Sequence, residues 1–413
     1  MDIYYNIYNN IIKNYNSENI NYEILYNINE FNKYNNNIIK DIKEIINYKN
    51  INNKFNNIIN IYNKMNNNNE YNNKLNYKYE KDPNNLKYIL NITDTNDSYG
   101  INDIFEVFIS YKDNKEYIIS KNINNYNLDI FTLLDNKIIK SLNGHKNRIT
   151  TVRYFINNKD YNEYLISADD NYIVIIWDIT NNYNIKYQIN TKYNNYIDSC
   201  LLVFPHNNND NYIITSTKST SNDNDKSATK IYSLNNGNFI KYINNTNNID
   251  IKYLLSWYNK ENNKYYIIQL AKQKILINNL LEDELYSELI HKPENYYYSG
   301  FIYKINNNDY LCTSSINGYI NIWDLSKKNI FKVINTNNCS LYHIIQWNNK
   351  YIIVADYWNN CFKIINLENG IIKDIEKQHT GSVICIKKIY HPKYGESLLS
   401  AANDNTIKLW SIN

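Results

Sequence analysis

The sequence predicts an all-β protein from about residue 84 onwards, built from repeated small sheets and preceded by a helical, Asn-rich extension. Three observations predict this. Short β-rich runs bounded by Asn, Asp and Gly fill residues 84–413, and such runs are typical of strands. The runs recur at a nearly constant spacing. Residues 1–83 instead carry apolar residues at helical spacing, and about a third of them are Asn.

Individual runs indicate how these strands are buried. Residues 319–323 and 406–410 alternate between apolar and polar side chains, which is the period of a strand with one buried face. Residues 172–177 are nearly all apolar, as expected for a strand that is buried on both faces.

The runs recur with a period of about 45 residues. The repeats can be aligned on strands that end in an apolar, an aromatic, a small polar and an aliphatic residue. This alignment gives seven anchor positions, which are separated by 46, 55, 46, 45, 42 and 45 residues. We interpret the polar run 219–226, inside the long interval, as a loop insertion. Four strands per unit at this period are typical of a β-propeller. The anchors are Phe131, Trp177, Tyr232, Asn278, Trp323, Ile365 and Trp410.

Two dipeptides carry a resemblance to a known family. Gly144-His145 is followed, 32 positions after the His, by Trp177-Asp178, and these pairs resemble the Gly-His and Trp-Asp of the WD-repeat (WD-40) family. The last repeat, from His379 to Trp410, is similar throughout, with Ser411 in place of the final Asp. The resemblance covers residues 86–412 and implies a seven-bladed β-propeller. It does not identify a subfamily.

The resemblance also implies structural roles for the histidines. In this family a His, a Ser or Thr, an Asp and a Trp form a buried hydrogen-bonded tetrad that ties the strands of a blade together. One repeat fits all four positions, and two have Asn at the acid position. The blades that end at Phe131, Tyr232, Asn278 and Ile365 rest on period and strand pattern alone. The expected tetrads are His379, Ser400, Asp404 and Trp410; His145, Ser167, Asn171 and Trp177; and His291, Thr313, Asn317 and Trp323.

The resemblance implies how the ring closes. A repeat of this family begins with the outer strand of one blade and continues through the inner three of the next, so the seventh blade lacks its outer strand. Residues 86–92 precede the first blade, and we expect them to supply that strand and remove an exposed sheet edge. Pro83 is a natural boundary. The predicted domains are an extension over 1–83 and a propeller over 84–413 closed by strand 86–92.

The extension itself supports two hypotheses. Its apolar stripes predict helices, but Asn is a poor helix former, so these helices would need a partner surface. A partly disordered, low-complexity extension is the alternative. We attribute the abundance of Asn, about a fifth of the chain, mainly to genomic base composition. The stripes are Tyr4, Tyr8, Ile11 and Tyr15, and Ile38, Ile42 and Ile45.

Composition and motifs exclude several classes of function. A formal net charge of +3 gives no general attraction to nucleic acid or anionic membranes. No apolar run approaches the ~20 residues of a membrane span, and no secretory signal is present. The five Cys form no disulfide framework or zinc motif. We therefore expect a cytoplasmic or nuclear protein with no transmembrane segment, metal or cofactor, and no enzymatic activity, since phosphate loops and nucleophile elbows are absent.

The surface remains as the functional candidate. In WD-repeat propellers, partners bind the top face around the central channel, at positions near the tetrad His and just before the tetrad acid. Trp358 is the strongest candidate because aromatic side chains dominate binding energy, although it could instead pack under a loop. For Arg148 the alternative is a surface ion pair of little energetic value. The implied protein-binding residues are Trp358, Arg148, Asp170, Thr150, Tyr296, Ile316 and Asn403, with Glu294, Ser382 and Ile384 beside them.

The sequence leaves three hypotheses for the function. The leading hypothesis is a non-enzymatic scaffold that binds a protein or peptide on the top face, while the N-terminal helices engage a second protein. The second is a substrate receptor of a ubiquitin ligase, which the missing Arg after Trp177-Asp178 and Trp323-Asp324 disfavours. The third is a phosphoinositide-binding propeller, which would need paired arginines, whereas Arg148 and Arg153 are not adjacent. Fold alone does not decide between them.

Overall fold

The computed structural model describes most of residues 82–412. The described ranges are 82–94, 104–110, 113, 115–122, 125–134, 137–157, 160–192, 197–205, 210–217, 229–243, 249–282, 284–291, 296–305, 307–337, 339–375 and 377–412. The helical extension predicted over 1–83 falls, but for its last two residues, outside these ranges, and so does the insertion 219–226. Within the described ranges, a short 3-10 turn at Pro83–Asn85 is followed by 28 strands, numbered in chain order.

The strands form seven four-stranded antiparallel sheets, which we call blades. Blades 1 to 3 run in chain order from the innermost strand outward. Blade 1 contains β2 (Ile104–Ile109), β3 (Glu116–Lys121), β4 (Leu128–Thr132) and β5 (Ile138–Leu142). Blade 2 contains β6 (Ile149–Ile156), β7 (Glu163–Asp169), β8 (Ile173–Asp178) and β9 (Asn184–Asn190). Blade 3 contains β10 (Ile197–Val203), β11 (Tyr212–Thr217), β12 (Thr229–Ser233) and β13 (Phe239–Tyr242).

Blades 4 to 6 follow the same order, and blade 7 departs from it. Blade 4 contains β14 (Ile251–Asn259), β15 (Lys264–Ala271), β16 (Ile275–Asn279) and β17 (Leu285–Leu289). Blade 5 contains β18 (Tyr297–Ile305), β19 (Asn308–Ser315), β20 (Tyr319–Asp324) and β21 (Asn329–Asn335). Blade 6 contains β22 (Leu341–Gln346), β23 (Tyr351–Asp356), β24 (Cys361–Asn366) and β25 (Ile372–Asp374). Blade 7 contains β26 (Val383–His391), β27 (Gly395–Ala402), β28 (Thr406–Ser411) and, as its outer strand, β1 (Lys87–Asp94).

The first strand of each blade lines the centre of a ring. These inner strands touch their neighbours in sequence from β2 through β6, β10, β14, β18 and β22 to β26, and β26 touches β2 again. The apolar core lies between adjacent blades. For example, Ile118 and Leu133 of blade 1 pack in one cluster with Leu399 and Ile407 of blade 7. The predicted all-β, seven-bladed propeller is confirmed, and all seven anchor residues lie in the third strands of their blades.

The pairing of β1 with β28 completes blade 7. It is antiparallel, with Lys87 opposite Ser411 and Asp94 opposite Thr406. Side chains reinforce it, because Lys408 Nζ donates to Asn91 Oδ1 at 2.9 Å. Just before β1, Leu86 is buried in a cluster with Trp410 and residues of blade 6. The strand expected at 86–92 therefore lies in β1, at the closing position.

Asn replaces Gly in several turns of this glycine-poor chain. The non-glycine residues with positive φ include Asn182, Asn263, Asn307, Asn337, Asn360 and Asn405. Asn tolerates this left-handed conformation better than most residues do, because its short side chain can bond to the local backbone. The bias toward Asn is therefore compatible with the tight turns that a propeller requires.

The burial of Leu86, just before the closing strand β1, can be tested by substitution. We expect Leu86→Ala to lower the free energy of unfolding by about 2–4 kcal/mol, because it empties a buried position at the seam. Leu86 is 6% exposed. Lys87→Ala, at an exposed neighbouring position, should change it by less than about 0.5 kcal/mol. Thermal unfolding of the full chain measures both, and equal midpoints for the two variants would contradict the closure.

Candidate functional site

The tetrad of blade 7 has the expected four members. His379 Nδ1 lies 2.9 Å from Asp404 Oδ2, and its Nε2 lies 2.7 Å from Ser400 Oγ. Trp410 Nε1 donates to the same Ser400 Oγ at 2.7 Å. The pKa of Asp404 is lowered: burial would raise it, but the hydrogen bonds from His379 and Thr406 outweigh burial. The loop before β26 is thus bonded to the second and third strands of its blade.

Blade 2 has the same arrangement with a different acid. His145 Nδ1 lies 2.9 Å from Asp169 Oδ2, and Ser167 Oγ binds both His145 Nε2 at 2.7 Å and Trp177 Nε1 at 2.8 Å. The assignment of the acid position to Asn171 was wrong. Asn171 lies exposed in the turn, and its backbone N–H donates to Asp169 Oδ1 at 3.0 Å. Asp169 occupies the acid position because its carboxylate, at the end of β7, reaches both His145 Nδ1 and the backbone N–H of Asn171 in the turn.

The tetrad expected in blade 5 is incomplete. Trp323 Nε1 donates to Thr313 Oγ1 at 3.1 Å, but Thr313 Oγ1 donates to Asn321 O, and His291 is not among its partners in the described part of the chain. Asn317 is exposed in the turn between β19 and β20. Ser315 Oγ instead accepts the N–H of Tyr319 at 3.1 Å. The expected bond between His291 and Thr313 is therefore not formed, and the Trp323–Thr313 bond is the part of the expected tetrad that is present among the described residues.

Blade 6 has a buried ion pair at the end of its second strand, the position at which blade 2 has its tetrad acid. Lys363 Nζ lies 3.5 Å from Asp356 Oδ2, both side chains are buried, and Lys363 also bonds to Asp374. Burial opposes the charge on Lys363, but the hydrogen bond that Lys363 donates to Asp374 and the nearby negative charges raise its pKa overall. Asp356 also accepts from Asn359 N at 3.3 Å and Asn359 Nδ2 at 2.7 Å. The turn from 357 to 360 is thereby fixed to the blade.

The loop before each inner strand and the turn between the second and third strands lie at the same end of the ring, because the strands of a blade are antiparallel. We call this end the top face. Among the described residues, the first residue of the turn donates its N–H to the carbonyl of the residue just before the inner strand in five blades, at 2.8–3.2 Å. The bonds run from Asp170 to Arg148, Lys272 to Asp250, Ile316 to Tyr296, Tyr357 to Ser340 and Asn403 to Ser382. In these five blades the backbone therefore joins the start of the turn to the residue before the inner strand.

This recurring bond corrects the alignment in blade 6. Asp170, Ile316 and Asn403 are all first residues of their turns, and the equivalent residue in blade 6 is Tyr357. Trp358 is the next residue and lies nearer the tip of the turn. Its side chain is 69% exposed, so the alternative in which it packs under a loop is wrong.

A β-bulge near the start of every inner strand shapes the channel mouth. The register shifts between Ile149 and Thr151 in blade 2, and a corresponding shift occurs in each of the other six blades. Bulges re-aim side chains and are common beside functional sites. The residues within these shifts that line the channel are Thr150, Asp198, Tyr298, Tyr342, His343 and Ile384.

The predicted binding residues separate into two groups. Thr150 and Asn403 line the channel, and Thr150 Oγ1 also donates to Ile197 O at 2.6 Å. Arg148 lies outside the channel and forms an exposed pair with Asp170, with Nε to Oδ2 at 3.5 Å, so the ion-pair alternative describes it. Tyr296 and Ile316 are half-buried at the top of blade 5, Ser382 is half-buried at the top of blade 7, and Ile384 lines the channel. Glu294 lies outside the described residues.

The channel is a cavity of about 620 Å³ to which every blade contributes. Tyrosines line one side of it. The ring of Tyr342 stacks on Tyr298 with centroids 4.4 Å apart and on Tyr357 with centroids 4.5 Å apart. These three rings run from the turn of blade 6 to the inner strand of blade 5. They give the channel an amphipathic wall with apolar faces and polar hydroxyl groups.

Charged groups are also part of the lining. Lys387 Nζ lies 2.7 Å from Glu106 Oε1, and this carboxylate raises the pKa of Lys387 although burial opposes it. Arg153 donates from Nη1 to Leu254 O at 2.8 Å and lies over the ring of Tyr253. Burial and the positive charges of Lys387 and Arg153 lower the pKa of His343 to about 3. His343 is therefore a neutral imidazole near two cations.

Sequence reasoning missed most of this lining. It identified Thr150, Ile384 and Asn403 from family positions, and Tyr298 as part of the run 296–298, but not Arg153, Tyr342 or Tyr357. For Tyr342 the detectable signal was its position just after the start of an inner strand, where a bulge turns consecutive residues toward the channel. Arg153 lies further along its inner strand and Tyr357 lies in a turn, so this signal does not apply to them. The sequence analysis found no visible partner for His343. In the structure His343 forms a hydrogen bond with the backbone of Ile386, whereas its Nδ1 has no partner among the described residues.

Two repeats of the chain match a known family model. The model described as WD domain, G-beta repeat matches residues 136–178 and 372–411. Each match begins with the outer strand of one blade and ends with the third strand of the next, and the two matches contain the two complete tetrads. These two repeats are thus similar to WD repeats, within a chain whose described residues fold as a seven-bladed β-propeller. No curated protein sequence matches the chain.

The described residues contain no cluster of His, Cys, Asp or Glu side chains suited to a metal ion. Nor do they include any helix with the length and apolar character needed to cross a membrane.

The correction in blade 2 can be tested directly. Asp169→Asn should cost about 1–3 kcal/mol of stability, because it removes the charged acceptor from a buried hydrogen-bonded group. Asn171→Ala should cost less than about 0.5 kcal/mol, since that side chain is exposed. Denaturant unfolding of the two variants measures the difference, and a larger effect at Asn171 would restore the original assignment.

The lowered pKa of Asp404 predicts an acid-sensitive contribution to stability. A carboxyl group whose pKa is lower in the folded state stabilises the fold above its unfolded pKa of ~3.9 and loses that effect as pH falls. Asp404→Asn should therefore lower the unfolding midpoint at pH 6 by more than it does at pH 3. Thermal scans at the two pH values test this, and a difference independent of pH would refute it.

Proposed function

We propose that the protein is a non-enzymatic interaction scaffold that binds a protein or peptide on its top face. The observation that carries the proposal is the exposed indole of Trp358, on a turn that is hydrogen-bonded to the buried residues Asp356 and Ser340. Large aromatic side chains held rigidly at a surface are the usual anchors of protein interfaces, because little conformational entropy is lost on binding. The WD-repeat propeller is a fold on which such surfaces are common.

The fixation of this turn has three parts. Asp356, fully buried, accepts from Asn359, and Tyr357 N donates to Ser340 O at 2.8 Å. The ring of Tyr357 stacks on Tyr342 with centroids 4.5 Å apart. Trp358 thus follows directly on a residue of the channel wall. We infer that a partner covering Trp358 also covers the channel mouth.

The two other hypotheses find less support. Thr180, at the place of the Arg found in many ligase receptors, accepts the N–H of Glu163 at 2.7 Å, an internal bond. Arg148 is paired with Asp170 on the top face, whereas Arg153 lies in the channel. They do not form the basic pair that a phosphoinositide headgroup would require.

Substitution of Trp358 tests the scaffold proposal. We expect Trp358→Ala to weaken binding of at least one co-purifying protein by roughly 30-fold, the effect of a hot-spot residue of about 2 kcal/mol. Affinity purification of the full chain with quantitative mass spectrometry measures the change.

Ile371→Ala is the matched control. Ile371 is 64% exposed and lies in the turn between β24 and β25, at the opposite end of the same blade. Identical sets of partners for wild type, Trp358→Ala and Ile371→Ala would refute the top-face assignment. Recovery of ligase adaptors would favour the substrate-receptor hypothesis. Co-flotation of the protein with phosphoinositide vesicles would favour the phosphoinositide-binding hypothesis.

A further inference from the structure

We propose that the central channel is a carboxylate-binding site, in which Arg153 receives an acidic side chain that a bound peptide inserts from the top face. The inference rests on the proposed function and specifies what the partner places in the channel.

Arg153 has unused hydrogen-bonding capacity. A guanidinium group carries five N–H donors in a planar fork. One Nη1 donor is used by Leu254 O at 2.8 Å, and the ring of Tyr253 lies 4.1 Å from the guanidinium carbon. Among the described residues no carboxylate forms an ion pair with Arg153. Its remaining donors suit a two-point contact with a carboxylate.

The other charged groups of the channel form ion pairs. Lys387 pairs with Glu106 at 2.7 Å, and Asp198 shares Lys252 with Asp250, at 3.3 and 3.0 Å. Arg153 is therefore the charged residue of the described lining that has no ion-pair partner. One carboxylate can pair with it, whereas a phosphate dianion would face stronger repulsion from Glu106 and Asp198.

The surroundings of Arg153 fit the rest of an acidic side chain. The stacked rings of Tyr298, Tyr342 and Tyr357 line the cavity and offer apolar surface to methylene groups. His343 Nδ1 and Asn403 Oδ1 are buried atoms without a hydrogen-bond partner in the described structure. Such groups are costly when unsatisfied, and a peptide entering the channel brings N–H donors to satisfy them. The cavity, at about 620 Å³, has room for two or three side chains.

A purely structural role is the competing explanation for Arg153. The residue belongs to blade 2 and bonds to blade 4, so it could serve only to tie the inner strands together. The experiment must therefore include a change that alters the charge of the channel without altering Arg153. Glu106→Gln does so, because it leaves Lys387 uncompensated.

The test is calorimetric titration of the full chain with an acetylated, amidated tetraglutamate peptide. The tetraglutamine peptide is the neutral reference, and free glutarate distinguishes a small acid from a peptide. We expect tetraglutamate to bind and tetraglutamine not to bind. Arg153→Gln should weaken tetraglutamate binding at least tenfold, and Arg153→Lys should weaken it less. Glu106→Gln should strengthen it. Lys264→Gln is the control, because it removes one positive charge from an exposed pair with Glu282.

The outcomes separate the possibilities. Equal binding of glutarate and tetraglutamate, both lost in Arg153→Gln, would keep the carboxylate site and identify a free acid as its ligand. Absence of binding to wild type at millimolar concentrations, or equal affinities for wild type and Arg153→Gln, would overturn the inference. If Arg153→Gln does not fold, unchanged affinity in Glu106→Gln overturns it as well. Loss of partners in Trp358→Ala without tetraglutamate binding would leave the proposed function standing and remove this inference alone.

Discussion

The structure depends on one pairing between distant parts of the chain, that of β1 with β28. Without β1 the last blade would have three strands, and β28 would be its exposed edge, which invites pairing with other chains. Here the strand over Lys87–Asp94 occupies the outer position of the blade whose other strands span Val383–Ser411. Because each blade packs on both of its neighbours, the geometry of the channel and of the top face follows from this closure.

Within the ring, different side-chain contacts fix the loops and turns of the top face to their blades. In blades 2 and 7 complete tetrads bond the loop leading into the inner strand, whereas in blade 6 the buried Asp356, paired with Lys363, fixes the turn between the second and third strands. The backbone bond from the turn to the residue before the inner strand is more general, since it occurs in five blades of the described part of the chain. Backbone geometry can therefore be retained while the side chains change, which explains why the family model matches only two repeats.

The sequence predicted the fold well and the site only partly. Period and strand pattern placed all seven anchors in third strands because burial between blades constrains apolar positions strongly. The acid of blade 2 was misplaced by two residues, since spacing cannot tell whether a carboxylate at the end of β7 or an amide in the turn reaches His145. Trp358 was identified as exposed, but its neighbour Tyr357 proved to be the channel residue. The bulges that turn Tyr342 and His343 inward arise from strand pairing and leave no mark on composition.

Hydrogen exchange of the full chain, followed by mass spectrometry, tests the closed ring most directly. Amides that are paired in a stable sheet exchange only through opening of that sheet. The closed ring predicts that peptides covering residues 87–94 and 406–411 are protected to a similar degree and lose protection together as denaturant is added. Rapid exchange over 87–94 beside a protected 406–411 would show that the ring is not closed by this strand.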